Sequence, residues 1–386
     1  MMILKGNNIR IYPNEEQYSR LCSTFGCVRW LWNNFLDMEN KRYENNPKSK
    51  FLTTYSLNRI LPQVKREYPW LKEVDSTALT VVSNDINFAF MRFFKKNSKH
   101  PRFKSKKYEQ TYTSKCVNNN IRIIDNHHIR LPKIGIVYFK GTVPQGKIKR
   151  ATVRLKPSGK FFVSVLCETE VEKLSLTKKK VGIDLGLKEL ATFDDGTKIP
   201  LPRFDKHLEN QLHYWQKIAA RRLSKAKKVI KSDPSKTLYD FKNYQTARAM
   251  VAKYHEKITN QRKDYLHKLS YHLVQNYDVI ILEDLKTKVM LKNHSLARAI
   301  SNAGWNTLIE MIRYKCEWYG KTLITVESSF TSQTCNICGS TNNKLGYNRY
   351  GWLKVREWKC DKCQNILDRD VNAAINIKNR GLTQIA

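Results

Sequence analysis

Hydrophobic positions change period several times along this chain, and each change marks a new element. Residues 3–12, I-L-K-G-N-N-I-R-I-Y, read as a short strand closed by Pro13-Asn14. From about Glu15 to Phe94 the period turns helical. Leu21, Phe25, Val28, Leu31, Trp32 and Phe35 recur at spacings of three and four, with interruptions near Asn45–Lys50 and at Pro69. Trp30 and Trp32 fall on this stretch and read as core residues before base-stacking platforms. From His100 to about Thr169 alternation takes over, in Ile121–Ile124, Ile129–Leu131 and Ile136–Phe139. A hairpin, A-T-V-R-L-K-P-S-G-K-F-F-V-S-V-L-C, turns at Pro157–Gly159. These strands fit a small barrel. The first strand could complete it, which makes the helical block an insertion.

Lys178-Lys179-Lys180 marks a boundary, after which V-G-I-D-L-G opens a different pattern. A buried strand to Asp184 is followed by strands in L-A-T-F-D-D-G and T-K-I-P-L-P. A charged helical stretch from about Asp205 to Asn276, broken at Asp233-Pro234-Ser235, reads as a helical hairpin. The strand D-V-I-I-L-E-D ends at Glu283. Then come a basic loop, a helix near Asn302–Tyr319, the strand K-T-L-I-T-V-E, and a last helix from about Asp370. Three strands, a helix, a strand, a helix, a strand and a final helix is an RNase H-like order. The expected fold is therefore multidomain α+β, an N-terminal barrel followed by an α/β domain with insertions.

Composition narrows the partners. Among 386 residues, 70 are Lys or Arg against 34 Asp or Glu, a net charge of +36 that points to a polyanion. The basic residues run the length of the chain, interleaved with 19 Tyr, 15 Phe and 8 Trp, as in a long nucleic-acid channel. A nonspecific basic surface of the ribosomal kind is the plainer alternative, but such proteins rarely carry buried acidic sites. No apolar run reaches the roughly 20 residues of a spanning helix, and the N-terminus lacks a signal-peptide core. No membrane role is expected. Cys22, Cys27, Cys116, Cys167 and Cys316 are scattered singly and read as reduced packing thiols of a cytoplasmic protein.

The remaining cysteines carry chemistry. Cys335-x-x-Cys338 and Cys360-x-x-Cys363 are two knuckles separated by a span that allows one short hairpin. Each offers two thiolates to one side of a tetrahedral ion, so a structural Zn²⁺ ribbon is expected. Asp184 and Glu283 each end a hydrophobic strand, and Asp370 starts a helix. Carboxylates in apolar surroundings are costly unless paired or holding metal. Three hard oxygen donors from separate elements suit Mg²⁺, and two such ions about 4 Å apart would cleave a phosphodiester. Each carboxylate alone has a plainer reading. Asp184 could cap a turn, Glu283 could pair with a lysine, and Asp370 could be a helix N-cap. Asp368 competes as third ligand but is placed better as a supporting or solvent group, and Glu283 outranks Asp284 because it follows the apolar run directly. Gly141–Lys147 matches the spacing of a phosphate-binding loop, but Ile148 stands where a Ser or Thr is needed and no helix follows. No H-E-x-x-H cluster occurs among the nine histidines.

These residues resemble the transposon-encoded TnpB family. The resemblance is carried by G-I-D-L-G-L-K-E-L-A-T around Asp184, I-I-L-E-D-L around Glu283, S-x-T-C-x-x-C-G, C-x-x-C and D-R-D-V-N-A-A-I-N-I. It extends to R-I-Y-P-N-E-E-Q (Arg10–Gln17), R-W-L-W-N (Arg29–Asn33), W-L-K-E-V-D (Trp70–Asp75) and P-R-F-K (Pro101–Lys104). It implies a wedge-type barrel built from residues 1–13 and 99–177 around a helical recognition insertion at 14–98. A RuvC-like nuclease domain would follow over 178–330, with the helical hairpin at about 205–276, a zinc-ribbon insertion at 331–367 and a final helix at 368–386. It further implies a monomeric protein in a ribonucleoprotein with a transposon-end guide RNA. That particle would recognise a short motif beside a double-stranded DNA target and cleave it with Asp184, Glu283 and Asp370. Motif reading would fall around Ser76, Thr77, Thr80 and Asn118. Repression without cutting is the alternative, and the intact carboxylate triad favours cutting; a tyrosine-recombinase histidine pair is absent.

Overall fold

The computed structural model describes residues 1–107, 109–342 and 355–385 and divides into two compact units, Met2–Glu170 and the chain from Val171 onward. In the first unit, β1 (Met2–Tyr12) leads into three helices, α1 (Glu15–Asn45), α2 (Thr54–Glu67) and α3 (Ser76–Phe94), before six further strands. Those are β2 (Gln110–Lys115), β3 (Arg122–Ile123), β4 (His128–Leu131), β5 (Gly135–Lys140), β6 (Lys147–Leu155) and β7 (Phe161–Glu170). The start of α1 is fixed by a capping box in which the Asn14 side chain accepts from Gln17 N–H and Gln17 reaches back. The apolar stripe read from the sequence is the buried face of α1, with Leu21, Leu31 and Phe35 fully enclosed.

The seven strands form one sheet in the order β2-β6-β7-β1-β5-β4-β3, with β1 antiparallel between β7 and β5. The first strand thus joins the later strands across the helical block. The outer strands β2 and β3 are consecutive in the chain, joined only by Cys116–Ile121. A flat sheet would hold them roughly 29 Å apart at about 4.8 Å per strand, more than the about 25 Å such a link can span. The sheet must therefore curl, and Tyr112 of β2 shares one core with Ile121, Ile129 and Val137.

The second unit is built on β8 (Lys180–Asp184), β9 (Glu189–Phe193), β10 (Lys198–Pro200), β11 (Val279–Glu283) and β12 (Thr322–Val326). They form one sheet, order β10-β9-β8-β11-β12, with β8, β11 and β12 parallel and β9 and β10 antiparallel. Two long helices, α4 (Glu209–Ser232) and α5 (Lys242–Asn276), pair as the hairpin between β10 and β11. The basic loop expected after Glu283 instead carries two short helices, α6 (Thr287–Met290) and α7 (His294–Ala303), before α8 (Trp305–Tyr319). Asn293 caps α7, and Gly304, at φ 69°, ends it and turns the chain into α8. After β12 come the two-stranded ribbon β13 (Glu357–Lys359) and β14 (Ile366–Asp368), then α9 (Arg369–Thr383). The middle of the hairpin expected between the cysteine knuckles, residues 343–354, lies outside the described residues. Among the described residues no helix is long and apolar enough to cross a membrane.

Candidate active site

Parallel register brings two of the three carboxylates together. Ile183 of β8 pairs with Leu282 of β11, so the next residues, Asp184 and Glu283, leave the sheet side by side at its C-terminal edge. The third arrives on α9, which lies directly on β8 and β11 because two glycines let it. A Cβ at Gly182 would stand 2.3 Å from the Ala374 carbonyl oxygen, and one at Gly381 would stand 2.4 Å from Ile281. Ile377 fills the seam between them with Ile281, Ile324 and Val326. A polar clasp adds to this. The Asp194 carboxylate accepts from the Gly182 N–H at 2.9 Å and from the Lys378 ammonium, tying β8 and the end of β9 to α9. The Trp305 indole N–H meets the Gly186 carbonyl just after Asp184 at 3.3 Å.

Burial and like charge dominate the electrostatics of these carboxylates. Burial, then the neighbouring charges of Glu283 and Asp370, pushes the Asp184 carboxyl up to about 8. Glu283 is 6% exposed. Burial raises its carboxyl too, against the Thr331 hydroxyl that donates to Oε1 and the Arg380 guanidinium. No lysine pairs with it at ion-pair distance among the described residues. Asp370 accepts from Arg369 Nη2 at 2.7 Å and Arg356 Nη1 at 3.1 Å. It is not the helix cap. That role falls to Asp368, whose Oδ1 accepts from the N–H groups of Asp370 and Val371, both at 3.0 Å, while Oδ2 takes Lys198 Nζ at 2.6 Å. Burial alone would raise Asp368, but the Lys198 ammonium and the backbone donors hold its carboxyl below the usual range.

The four cysteines converge more tightly. Among the described residues they are the group whose ligand atoms all lie within 4.8 Å of one another; the three carboxylates stand further apart. The sulfurs of Cys335 and Cys363 are 3.7 Å apart and those of Cys338 and Cys360 3.6 Å. A tetrahedron with Zn–S bonds of about 2.3 Å has edges of about 3.8 Å, so the cluster fits structural Zn²⁺. Each knuckle closes alike. The N–H of Gly339 bonds the Cys335 carbonyl and that of Gln364 bonds the Cys360 carbonyl, both at 2.9 Å, and both residues are left-handed.

The remaining candidates lie in the first unit at one place, where α3 meets β2. Asp75 caps α3 by accepting from Thr77, and the Thr77 hydroxyl accepts from Lys115 N–H at 3.1 Å. Ser76 accepts from Lys65 at 2.8 Å and Thr80 donates to the Thr77 carbonyl at 2.9 Å. Asn118, exposed at φ 49°, follows β2 closely. Thr77 and Thr80 therefore serve the helix end, whereas Asn118 is free to face a ligand.

Reading the sequence alone missed Gly182, Thr331, Asn372 and Asn376 as site builders. A glycine inside V-G-I-D was available as a signal of close backbone approach. The two asparagines, four apart in N-A-A-I-N, share a helix face.

Three family models match. Residues 305–377 match a Cas12f1-like TNB domain and 164–294 a probable transposase. Residues 1–48 match a helix-turn-helix domain, although the structure there is β1 followed by the single long helix α1. A protein of Streptomyces pristinaespiralis named as an RNA-guided DNA endonuclease is 35% identical over 382 residues, 98% of this chain and 89% of that one. The Escherichia coli K12 protein InsQ, with the same designation, is 28% identical over 100% of this chain and 94% of its own. A solved Cas12f1–sgRNA–target DNA complex aligns over 98% of this chain and 99% of the other at 13% identity, with a TM-score of 0.48.

Proposed function

The chain belongs to the TnpB family, and from that premise we propose that it is an RNA-guided DNA endonuclease whose nuclease site is Asp184, Glu283 and Asp370. One observation carries the site assignment. Three carboxylates far apart in sequence gather at one sheet edge, where burial and then mutual repulsion push Asp184 up to about 8. Sheet order β10-β9-β8-β11-β12, with the helical hairpin and the ribbon as insertions, supports an RNase H-like, RuvC-type reading of the second unit. The curled sheet with its helical block supports a wedge-type barrel carrying a recognition insertion.

The three carboxylates would hold two Mg²⁺ ions, which when bound supply an activated water and a charge for the leaving oxygen. The chain's own residues prepare that site. β8 and β11 fix two donors by register, and α9 delivers the third from a turn already capped by Asp368, so Asp370 is spared for other duty. Arg369 and Arg356 pair with Asp370 and put guanidinium donors where a phosphodiester would approach. The apolar packing of α9 on the sheet keeps water from the floor of the site. The partners are a guide RNA from the transposon end and a double-stranded target with a short adjacent motif, read near Ser76, Thr77, Thr80 and Asn118. Repression without cutting has no support, since the triad is complete and the relatives are named as endonucleases.

The test is to purify the protein expressed with its native flanking DNA and sequence the RNA that accompanies it. The particle is then assayed with Mg²⁺ on targets bearing a randomised flank. One abundant RNA with a structured body and a variable end, directing cleavage beside one motif, is the expected result. Random cellular RNA, or no cleavage of any matched target, would overturn the reading.

A further inference from the structure

α9 is gripped on two faces. Ala374, Ile377, Lys378 and Gly381 face the sheet, as described above. Asn372, Asn376 and Arg380, each four residues after the last, share the other face and all bond one segment, the stretch that runs from β12 to the first cysteine knuckle. Asn372 Nδ2 donates to the Thr334 carbonyl at 2.8 Å, and its Oδ1 accepts from Asn336 N–H at 2.9 Å. Asn376 Nδ2 donates to the carbonyls of Thr331 and Thr334 at 2.9 and 2.7 Å. Arg380 Nη1 donates to the Ser329 carbonyl at 2.6 Å. Asn372 and Asn376 are 2% and 9% exposed, so these bonds form away from water. The residue they immobilise, Thr331, is itself buried and turns its hydroxyl onto Glu283 Oε1.

A carboxylate that must hold a cation has four lone-pair directions and a rotatable stem. A single buried hydroxyl donor on one oxygen fixes the rotamer and leaves the other oxygen free. A plain structural need would be met by any donor from any flexible side chain. Here the donor sits on a backbone clamped by two buried amides and by the knuckle of Cys335, a chain of contacts running from the thiol cluster to the acid. We propose that the segment leading into the cysteine ribbon is a working part of the carboxylate site: Thr331 is a positioning residue that orients Glu283, and Asn372 and Asn376 hold Thr331 in place. The inference rests on the nuclease reading given above.

The experiment compares Thr331→Val, which keeps the shape and loses the hydroxyl, with Thr331→Ser, which keeps the hydroxyl. Both are prepared as guide-RNA particles beside wild type and Asp184→Ala. Zinc content and target-DNA binding serve as checks on folding. Two readouts follow: the Mg²⁺ concentration giving half-maximal cleavage, and Mn²⁺ binding measured by electron paramagnetic resonance of the free ion. Thr331→Val is expected to weaken Mn²⁺ binding and raise the Mg²⁺ requirement about 10–100-fold. Thr331→Ser should restore both to within a few-fold, with zinc and DNA binding unchanged throughout. Wild-type behaviour of Thr331→Val, or a Thr331→Ser as impaired as Thr331→Val, would overturn the inference. Should Thr331→Val not fold, Asn376→Ala carries the same test, and unchanged Mn²⁺ binding in it would overturn the inference equally. Asp184→Ala separates the two levels: if it still cleaves, the nuclease reading fails; if it is dead while Thr331→Val is normal, only the positioning role fails.

Discussion

Two clusters of candidate ligands, four thiols and three carboxylates, lie in the second unit, and they are assembled in opposite ways. The thiol cluster is local. Two knuckles each fold on their own i to i+4 bond, and the sulfurs already stand at tetrahedral spacing. The carboxylate cluster is non-local. It needs the β8–β11 register and a glycine-dependent helix contact, and once built it leaves Asp184 crowded by two like charges. A thiol cluster is thus written largely into short spacing, whereas a carboxylate cluster is written into tertiary packing that must overcome burial and repulsion.

The largest expected effect breaks the carboxylate side alone. Asp184→Ala should reduce cleavage to background while guide RNA and target binding stay within a few-fold, measured by gel-shift titration and cleavage time courses. Loss of binding together with cleavage would make Asp184 a fold residue and dissolve the contrast. Next comes Cys360→Ser. Structural zinc sites contribute about 10–16 kcal/mol in small peptides, so losing one thiolate should release the ion and unfold the ribbon. Metal analysis and limited proteolysis check this, and full zinc occupancy with normal protection would remove the thiol cluster from the comparison. Because the ribbon leads into Thr331, some loss of cleavage is expected as well.

A third, smaller effect tests the packing that builds the acid site. Gly182→Ala places a methyl against the Ala374 carbonyl, a backbone atom that can move only with α9. Overpacking of this kind costs roughly 1–3 kcal/mol. The thermal midpoint should drop by a few degrees and cleavage should fall further than target binding, while zinc content stays unchanged. Equal loss of all three would mean that the two clusters are not separately built.

The same contrast explains what was legible in the sequence. C-x-x-C pairs, the alternation of Ile129–Leu131 and the α1 stripe are local patterns, and each reappears in the structure at the expected place. The three acids stood out because Asp184 and Glu283 each end an apolar run and Asp370 opens a helix, which are also local signals. Their support was not. Asp194 and Lys378 lie 184 residues apart, Thr331 and Glu283 48 apart, and no periodicity in either neighbourhood marks such a pair. The helices α6 and α7 escaped because four- and ten-residue elements are too short for their period to stand out, although Leu296, Ile300 and Ala303 of α7 do fall at helical spacing. The sequence ranked Asp370 above Asp368, but that Asp368 caps the helix is seen only in which carboxylate turns back onto the helix N-terminus.

The last effect is confined to stability, and it reports directly on the burial and crowding of the acids. Burial and then the charges of Glu283 and Asp370 raise the Asp184 carboxyl from 3.8 to about 8. Without a cation, the folded protein therefore keeps a proton that the unfolded chain has released anywhere between those values. A group that binds its proton more tightly when folded contributes stability below the unfolded pKa, and that contribution is lost as pH rises through the folded one. Urea midpoints measured without added divalent cation should accordingly fall as pH climbs from about 5 to about 8. Adding Mg²⁺ should reverse the trend, because the ion binds the ionised folded form and adds about 2.7 kcal/mol at a hundred times its Kd. Asp184→Asn removes the proton and the charge together, so it should flatten the pH slope and weaken the Mg²⁺ response. A slope that persists in Asp184→Asn would place the titration elsewhere. The two clusters would then differ only in how they are assembled.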